Sequence, residues 1–163
     1  MEAAANLQSF VQPLLTTAAG DGLSFLATLN LAIHGFYHRG VRLEGPPRTP
    51  AETLALGEGV CRDLTVLFMA VCRQVGLAAR FVSGYQQGDG TRELRYLHAW
   101  PEVYLPGFGW KGYDPTIGLV VADRHIAYAA SALPEQAAPV TGSFRGTGAT
   151  ASMAHRVELA IEQ

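Results

Sequence analysis

A cysteine, a histidine and an aspartate lie in this chain in settings that favour nucleophilic catalysis. Cys61 begins a long apolar stretch, His98 lies among residues typical of a strand, and Asp114 follows a turn rich in glycine and proline. A thiolate can attack a carbonyl carbon, an imidazole can hold its proton, and a carboxylate can orient the imidazole. Together the three residues predict acyl transfer through a Cys-His-Asp triad and a thioester intermediate.

Position along one predicted helix, about residues 60–75, distinguishes the two cysteines of the chain. Cys61 lies at its N-terminus, where unpaired amides and the helix dipole lower the pKa of a thiol, whereas Cys72 lies mid-helix and is predicted to be inert core. Their separation along the helix is ~16 Å, too far for a disulfide. Unpaired cysteines and the lack of a leader-like segment lead us to expect a cytoplasmic location.

A predicted hairpin brings the histidine and the aspartate together. Residues 106–109, which read Pro-Gly-Phe-Gly, separate two strand-like segments. A hairpin folded there would place His98 opposite or close to Asp114, because facing residues of an antiparallel pair have Cβ atoms about 5 Å apart. The carboxylate would then accept a hydrogen bond from one ring nitrogen and leave the other facing the thiol.

Aromatic residues near this hairpin are candidates for binding substrate. Trp100 shares the strand face of His98, because side chains alternate along a strand, and Trp110 lies just beyond the turn. Both are predicted to line the substrate site and keep it dry; ordinary core packing is an equally good interpretation. Glu102, on the same face, is predicted to belong to a buried network rather than to act in catalysis. Arg80, next to a predicted strand start, is a separate candidate for an ion pair whose partner the sequence does not identify.

The surrounding pattern predicts an α+β domain in which a central buried helix packs on an antiparallel sheet. Residues 7–19 and 23–38 have helical spacing, and Thr49-Pro50-Ala51-Glu52 is a typical helix start. The predicted strands are 79–86, 94–105, 110–113, 118–122, 125–130 and 153–161, of which 125–130 could instead be helical. We expect one domain over 1–163, with a helical N-terminal part (1–44) and a catalytic core (45–163).

Composition and motifs argue against several other functions. The formal net charge is −2 with no basic run, so nucleic-acid binding has no electrostatic basis. The apolar stretch 23–36 is shorter than the ~20 residues that cross a bilayer, so we expect no membrane association. His34 and His38 have the spacing of helical metal ligands but no third ligand in a suitable context, and no glycine-rich phosphate loop follows a strand. We therefore expect no metal and no cofactor.

At these residues the chain resembles the bacterial branch of the transglutaminase-like cysteine-enzyme superfamily. The similar segments, between about residues 45 and 160, are 49–63 (from Thr49-Pro50 through Gly59-Val60-Cys61-Arg62-Asp63), 76–85, His98-Ala99-Trp100, Glu102-Val103-Tyr104, Gly109-Trp110, Asp114-Pro115-Thr116, 121–126 and Phe144-Arg145-Gly146. The resemblance implies a papain-like α+β fold, with Cys61 as nucleophile on the central helix and His98 as base and Asp114 as orienting acid on the sheet.

The chain departs from that branch in two respects. Pro101 lies inside the predicted strand of His98, where it cannot donate to a ladder, so an edge or a bulge is expected there. Residues 1–44 read as helical and show no complete N-terminal β domain of the kind that often precedes this catalytic domain.

Three functional classes are compatible with the sequence. The preferred one is a cysteine peptidase or amidase that hydrolyses a peptide or protein substrate, with the backbone amide of Cys61 as one oxyanion donor. The same acyl-enzyme would carry out protein-glutamine transamidation if an amine replaced water. The other two classes are a non-catalytic peptide-binding module and a structural domain in which Cys61 is simply core.

Overall fold

The computed structural model describes residues 2–36, 38–40, 42–88, 96–143, 145–150, 152, 154 and 156–158. The elements in chain order are α1 (Glu2–Ala18), α2 (Gly22–Phe36), β1 (His38–Arg39), α3 (Pro50–Leu56), β2 (Glu58–Gly59), α4 (Cys61–Gln74), β3 (Ala79–Gln86), β4 (His98–Leu105), β5 (Gly109–Asp114), β6 (Leu119–Val120), β7 (His125–Ser131) and a 3₁₀ turn (Pro134–Ala137). The α-helices precede the strands of the main sheet, β3 to β7, as the sequence pattern predicts.

Five strands form one antiparallel sheet in the order β6-β5-β4-β3-β7. β4 therefore lies in the middle, between β3 and its hairpin partner β5. Pro101 pairs with Phe81 of β3, whereas the ladder toward β5 begins at Glu102. At Pro101, the edge of β4 that faces β5 has no strand partner. The N–H that proline lacks therefore interrupts no hydrogen bond of the β4–β5 ladder. The α+β class and the antiparallel sheet are confirmed.

One of three further strand predictions is confirmed, and two differ from the structure. Residues 125–130 lie in β7, so the helical alternative is wrong; pairing along β3, with a register shift between Ser83 and Gly84, holds them extended. The strand predicted over 94–105 begins at His98; residues 96–97 are not in it, and 94–95 lie outside the described residues. A strand is also predicted over 153–161. The described residues of that segment, 154 and 156–158, are not in a β-strand, and its other residues lie outside the described residues.

The core lies between α4 and one face of the sheet. α4 buries Leu67, Phe68 and Val71, and the Phe68 ring stacks on Tyr113 of β5 with centroids 5.6 Å apart. Leu26, Leu29 and Ile33 of α2 belong to the same buried cluster, with Ala99, Val103 and Leu105 of β4. Each fully buried leucine or phenylalanine contributes about 1.5–3 kcal/mol, so this contact fixes α4 firmly on β4.

A capped turn delivers the chain to the start of α4. The Thr49 hydroxyl accepts a hydrogen bond from the Glu52 N–H, and the Glu52 carboxylate accepts one from the Thr49 N–H. α3 then ends at Gly57, whose φ of 63° is easily adopted only by glycine. Gly59 follows, and a Cβ there would lie 3.1 Å from the Leu64 side chain. No helix in the described part of the chain has the length and hydropathy to span a bilayer.

Candidate active site

Cys61 is the first residue of α4, and the turn that precedes it is held by a buried carboxylate. Asp63 is fully buried; its Oδ2 accepts from the Val60 N–H at 3.0 Å, and its Oδ1 accepts from the Arg48 N–H at 2.8 Å and from the Arg42 guanidinium. A buried charge is stable only when it is paired and hydrogen-bonded, and Asp63 satisfies both conditions. The helix start that presents Cys61 is therefore locked to the segment 42–48.

Arg62, next to the cysteine, ties down the same segment. Its Nη2 donates to the carbonyl oxygens of Arg42 at 3.0 Å and of Glu44 at 2.6 Å. Its side chain thus turns away from the thiol and toward the loop, although its positive charge still acts on the thiol. These contacts give Arg62 a supporting role at the start of α4.

His98 and Asp114 meet at the open end of the β4–β5 hairpin. The last pair of the β4–β5 ladder is Glu102 with Gly112. If the ladder continued by two residues, Asp114 would lie opposite Trp100. His98 lies two residues further along β4, so its side chain reaches Asp114 diagonally. The His98 Nε2 lies 2.8 Å from the Asp114 Oδ2. The predicted contact between the two residues is therefore present. Because Nε2 faces the carboxylate, Nδ1 is the nitrogen left for the thiol.

Hydrogen bonds and charges around the thiol favour its ionised form. Burial opposes ionisation of Cys61, but a hydrogen bond and the positive charge from His98, with a further hydrogen bond from the Ala99 N–H, lower its pKa below the ordinary value. Burial also opposes the cationic form of His98, yet hydrogen bonds to Asp114 and Cys61 raise its pKa to about 10. The two shifts together favour a thiolate–imidazolium pair over a neutral thiol beside a neutral imidazole.

Asp114 stays ionised despite being fully buried. Burial raises its pKa, but hydrogen bonds from His125, His98 and Thr116 outweigh that effect and hold the pKa well below its usual range. Thr116 donates to Oδ1 from both its N–H, at 2.9 Å, and its hydroxyl, at 2.5 Å. The carboxylate therefore faces His98 as an anion, which is the form that stabilises an imidazolium.

The helix α2 supports the turn that follows Asp114. The His34 Nδ1 donates to the Pro115 carbonyl at 3.3 Å, and the Asn30 side chain donates to the Leu119 carbonyl at 3.2 Å. A Cβ on Gly118 would lie 2.9 Å from the His34 ring, so the turn and the helix are in close contact. His34 thus braces the site, and the structure gives it no metal partner among the described residues.

A family model for the transglutaminase-like superfamily matches residues 19–115, a range that includes Cys61, His98 and Asp114. The chain belongs to the transglutaminase-like superfamily. An uncharacterized protein of Mycobacterium leprae is 32% identical over 97 residues, which cover 56% of this chain and 34% of that protein. A protein-glutamine gamma-glutamyltransferase of Pseudomonas aeruginosa is 37% identical over 65 residues, 36% of this chain and 10% of the enzyme.

A solved structure agrees with the superfamily fold. A putative cysteine protease from Cytophaga hutchinsonii superposes with a TM-score of 0.66 at 22% identity, covering 81% of this chain and 45% of that one. At that identity the likeness shows the fold alone. The matched part of this chain spans about a third or less of the two curated relatives, so what those longer proteins do is not thereby shown for it.

The two tryptophans of this superfamily member lie in different surroundings. Trp100 is 1% exposed and packs edge-on against the ring of His125, with centroids 5.2 Å apart, so it adjoins the site from within the core. Trp110 is 39% exposed; it packs against Tyr104, and the Arg80 guanidinium lies 4.2 Å from its ring centre. The substrate-binding role of both stays a prediction, and their packing favours a structural one for Trp100.

Glu102 forms an ion pair with Arg80, and both side chains are partly exposed, so the buried network expected at Glu102 is reduced to this pair within the described residues. The Arg80 Nε donates to the Glu102 Oε2 at 2.7 Å, on the sheet face that also carries Trp110. This pair holds the guanidinium over the indole ring, a cation–π arrangement. Glu102 therefore contributes to the sheet surface and has no described contact with the thiol.

His125 is the site residue that the sequence analysis left without a role. It is the first residue of β7, its side chain is 3% exposed, and its Nε2 lies 3.0 Å from the Asp114 Oδ2. The signal that could have found it is its position in the segment 121–126, which resembles the superfamily. Spacing along the sequence could not have predicted the contact of His125 with Asp114, because β3 and β4 lie between β7 and β5, the strand of Asp114.

The donor atoms of His98, Asp114 and His125 lie within 4.8 Å of one another, a separation that a metal site would also show. Each imidazole nitrogen is, however, at hydrogen-bonding distance from the same carboxylate oxygen. Protons on the two nitrogens explain both contacts, and the arrangement is better described as two imidazoles donating to one carboxylate.

Proposed function

We propose that this protein is a cysteine-dependent acyl-transfer enzyme that hydrolyses peptide or amide bonds. The observation that carries the proposal is the chain of contacts from Cys61 through His98 to Asp114, in which the pKa of the thiol is lowered and that of the imidazole is raised. A thiol with these neighbours is a nucleophile at neutral pH, whereas an ordinary thiol is mostly protonated there.

In the first half-reaction, the Cys61 thiolate adds to the carbonyl carbon of the substrate. The negative charge that develops on the carbonyl oxygen is stabilised by the Cys61 N–H, which as the first amide of α4 has no partner within the helix. The His98 imidazolium gives its Nδ1 proton to the departing nitrogen. The C–N bond breaks, an amine leaves, and a thioester remains on Cys61.

In the second half-reaction, the neutral imidazole takes a proton from water as that water adds to the thioester carbonyl. The carboxylic acid leaves, the thiolate is regenerated, and His98 is again protonated. Asp114 stays ionised throughout, because it accepts hydrogen bonds on both oxygens, and it offsets the charge of the imidazolium. Each group thus returns to its starting state after one turnover.

A second candidate is transamidation of protein-bound glutamine. It is favoured by the similarity to the Pseudomonas aeruginosa protein-glutamine gamma-glutamyltransferase. The first half-reaction is then the same, with ammonia as the leaving group, and a primary amine replaces water in the second. Hydrolysis is preferred because Cys61 is partly exposed, which gives water access to the thioester.

The test compares wild-type protein with Cys61→Ser on two substrates. A mixture of peptides read by mass spectrometry detects hydrolysis, and a glutamine-rich protein with a fluorescent primary amine detects transamidation. We expect peptide or glutamine-amide hydrolysis by the wild type and none by the variant. Incorporation of the amine without hydrolysis would favour transamidation. Activity that persists in Cys61→Ser would refute the thiol mechanism.

A further inference from the structure

His125 is a buried titratable side chain that the mechanism above does not use. Its Nε2 points at the Asp114 Oδ2, 3.0 Å away, and its Nδ1 is buried without a hydrogen-bond partner among the described residues. A buried histidine has to satisfy its polar atoms, and the hydrogen bond that this ring makes within the described part of the chain goes to the carboxylate of the site. The contact therefore needs an explanation beyond packing.

The Asp114 carboxylate is held at both oxygens by groups that remain in place during the reaction. Oδ1 accepts from the N–H and the hydroxyl of Thr116. Oδ2 accepts from His98, whose protonation changes in each half-reaction, and from His125, whose protonation does not need to change. A carboxylate can only accept, so the His125 Nε2 carries the hydrogen. His125 is thus the fixed donor on the oxygen that faces His98.

The ring of His125 is itself fixed by the sheet. His125 pairs with Gln86 of β3, and its ring packs edge-on against Trp100. Trp100 can lie there because Gly84 has no side chain: a Cβ on Gly84 would lie 2.4 Å from the Trp100 ring and 2.2 Å from the Ile126 carbonyl oxygen. Strand β7 therefore delivers a donor to Asp114 from a direction that neither β4 nor β5 can supply.

We propose that His125 is a positioning residue for the reaction, which holds the Asp114 carboxylate where it accepts from His98 and so maintains the reactive Cys61–His98 pair. The proposal rests on the proposed function, because it assigns His125 to the same thiol chemistry. Without the His125 donor, Asp114 is held by Thr116 at Oδ1 and can rotate its other oxygen away from the imidazole. The pair then loses part of its stabilisation, and Cys61 is thiolate at higher pH.

The test measures how fast iodoacetamide alkylates Cys61 at a series of pH values in three variants of the whole protein. His125→Gln keeps a side-chain N–H near the position of Nε2, whereas His125→Asn is polar but too short, and His125→Leu has no donor. At pH values below the alkylation midpoint of Cys61, the alkylation rate should be at least about threefold lower in the Asn and Leu variants than in the wild type, which corresponds to a midpoint about half a pH unit higher. The rate in the Gln variant should lie within about twofold of the wild-type rate.

Cys72 serves as the internal control for folding, because it is fully buried and becomes reactive only when the protein opens. A role in packing alone predicts that Asn, Leu and Gln variants share the wild-type midpoint of Cys61 while Cys72 becomes more reactive, and that result would overturn the proposal. An ordinary midpoint for Cys61 in the wild type would instead refute the proposed function, and the role of His125 with it.

A second measurement does not depend on the stability of any His125 variant. The imidazole N–H resonances of the ¹⁵N-histidine-labelled wild type should include one from His125 Nε2 that is protected from solvent exchange and shifted downfield by the carboxylate. Loss of that shift in Asp114→Asn supports the contact. A wild-type spectrum in which His125 carries its proton on Nδ1 and none on Nε2 contradicts it.

Discussion

The two cysteines of α4 share a residue type, a helix and a burial penalty, yet their thiols have opposite properties. Burial raises the pKa of Cys72 far above its ordinary value, and the charge of Arg73 does little to offset it. Burial also raises the pKa of Cys61, but His98, the Ala99 N–H and the charge of Arg62 more than reverse that effect. Helix position alone therefore does not activate Cys61; strand β4 does, by placing a base and an amide against it.

Removal of the nucleophile should give the largest difference between the two positions. Cys61→Ser should lower turnover by at least ~10⁴-fold, because the hydroxyl is not ionised by a base matched to a thiol. Cys72→Ala, the matched control on the same helix, should retain activity within about twofold and lose about 1–2 kcal/mol of stability through the small cavity. Turnover and thermal unfolding of both variants measure this. Equal loss of activity would show that the helix, not the thiol, is required.

The carboxylate is the next test of what distinguishes the two environments. Asp114→Asn should lower turnover on the order of 10⁴-fold, as loss of the orienting acid does in other triads, and should lower the pKa of His98 from about 10. The alkylation midpoint of Cys61 should rise accordingly, whereas Cys72 should not respond. A variant with wild-type turnover and an unchanged Cys61 midpoint would remove Asp114 from the account.

The pH dependence of turnover should show both shifted groups. As pH rises, activity should appear when Cys61 ionises, at a pH below the pKa of ~8.5 of a free thiol. It should fall as pH rises through about 10, because the His98 imidazolium that protonates the leaving amine is then lost. Alkylation of Cys61 should not fall there, because the thiolate persists. An alkaline limb near 6.5 would instead mean that His98 has the pKa of a free imidazole.

Loss of the Asp63 contacts at the start of α4 should have the smallest effect on turnover among these changes and a clear effect on the free energy of unfolding. Asp63→Asn removes the charge that faces Arg42 and leaves one of the Arg48 or Val60 amides less well satisfied, at a cost of about 2–4 kcal/mol. Turnover of the folded variant should drop only a few fold. Glu52→Gln, which perturbs a cap away from the thiol, is the matched control. Chemical denaturation measures the difference, and equal stability of the two variants would contradict it.

Local signals in the sequence predicted the parts of the fold and site that local geometry determines. The Thr49–Glu52 capping box, the bounds of β3 and the His98–Asp114 contact all depend on residues near in sequence or joined by a tight turn. The sequence did not predict the buried role of Asp63, because two of its donors, Arg42 and Arg48, lie on a loop whose path no local pattern indicates.

Pairing between strands distant in sequence explains why the sequence did not predict the role of His125. β7 joins the sheet next to β3, so the contact of His125 with Asp114 depends on strand order, which no spacing in the sequence encodes. Trp110 packs against Tyr104 and lies under the Arg80 guanidinium, and its role in substrate binding stays a prediction. The single-domain organisation, the cytoplasmic location and the peptide or protein substrate stay predictions.

The most direct test of the central claim is pH-resolved alkylation of the native wild-type protein with iodoacetamide, with Cys61 and Cys72 quantified separately by peptide mass spectrometry. An activated Cys61 should label rapidly with a midpoint well below ~8.5, more slowly in His98→Ala, while Cys72 stays unlabelled until the protein unfolds. Slow labelling of both cysteines at similar rates, and only above about pH 8, would contradict the account and favour a non-catalytic peptide-binding module.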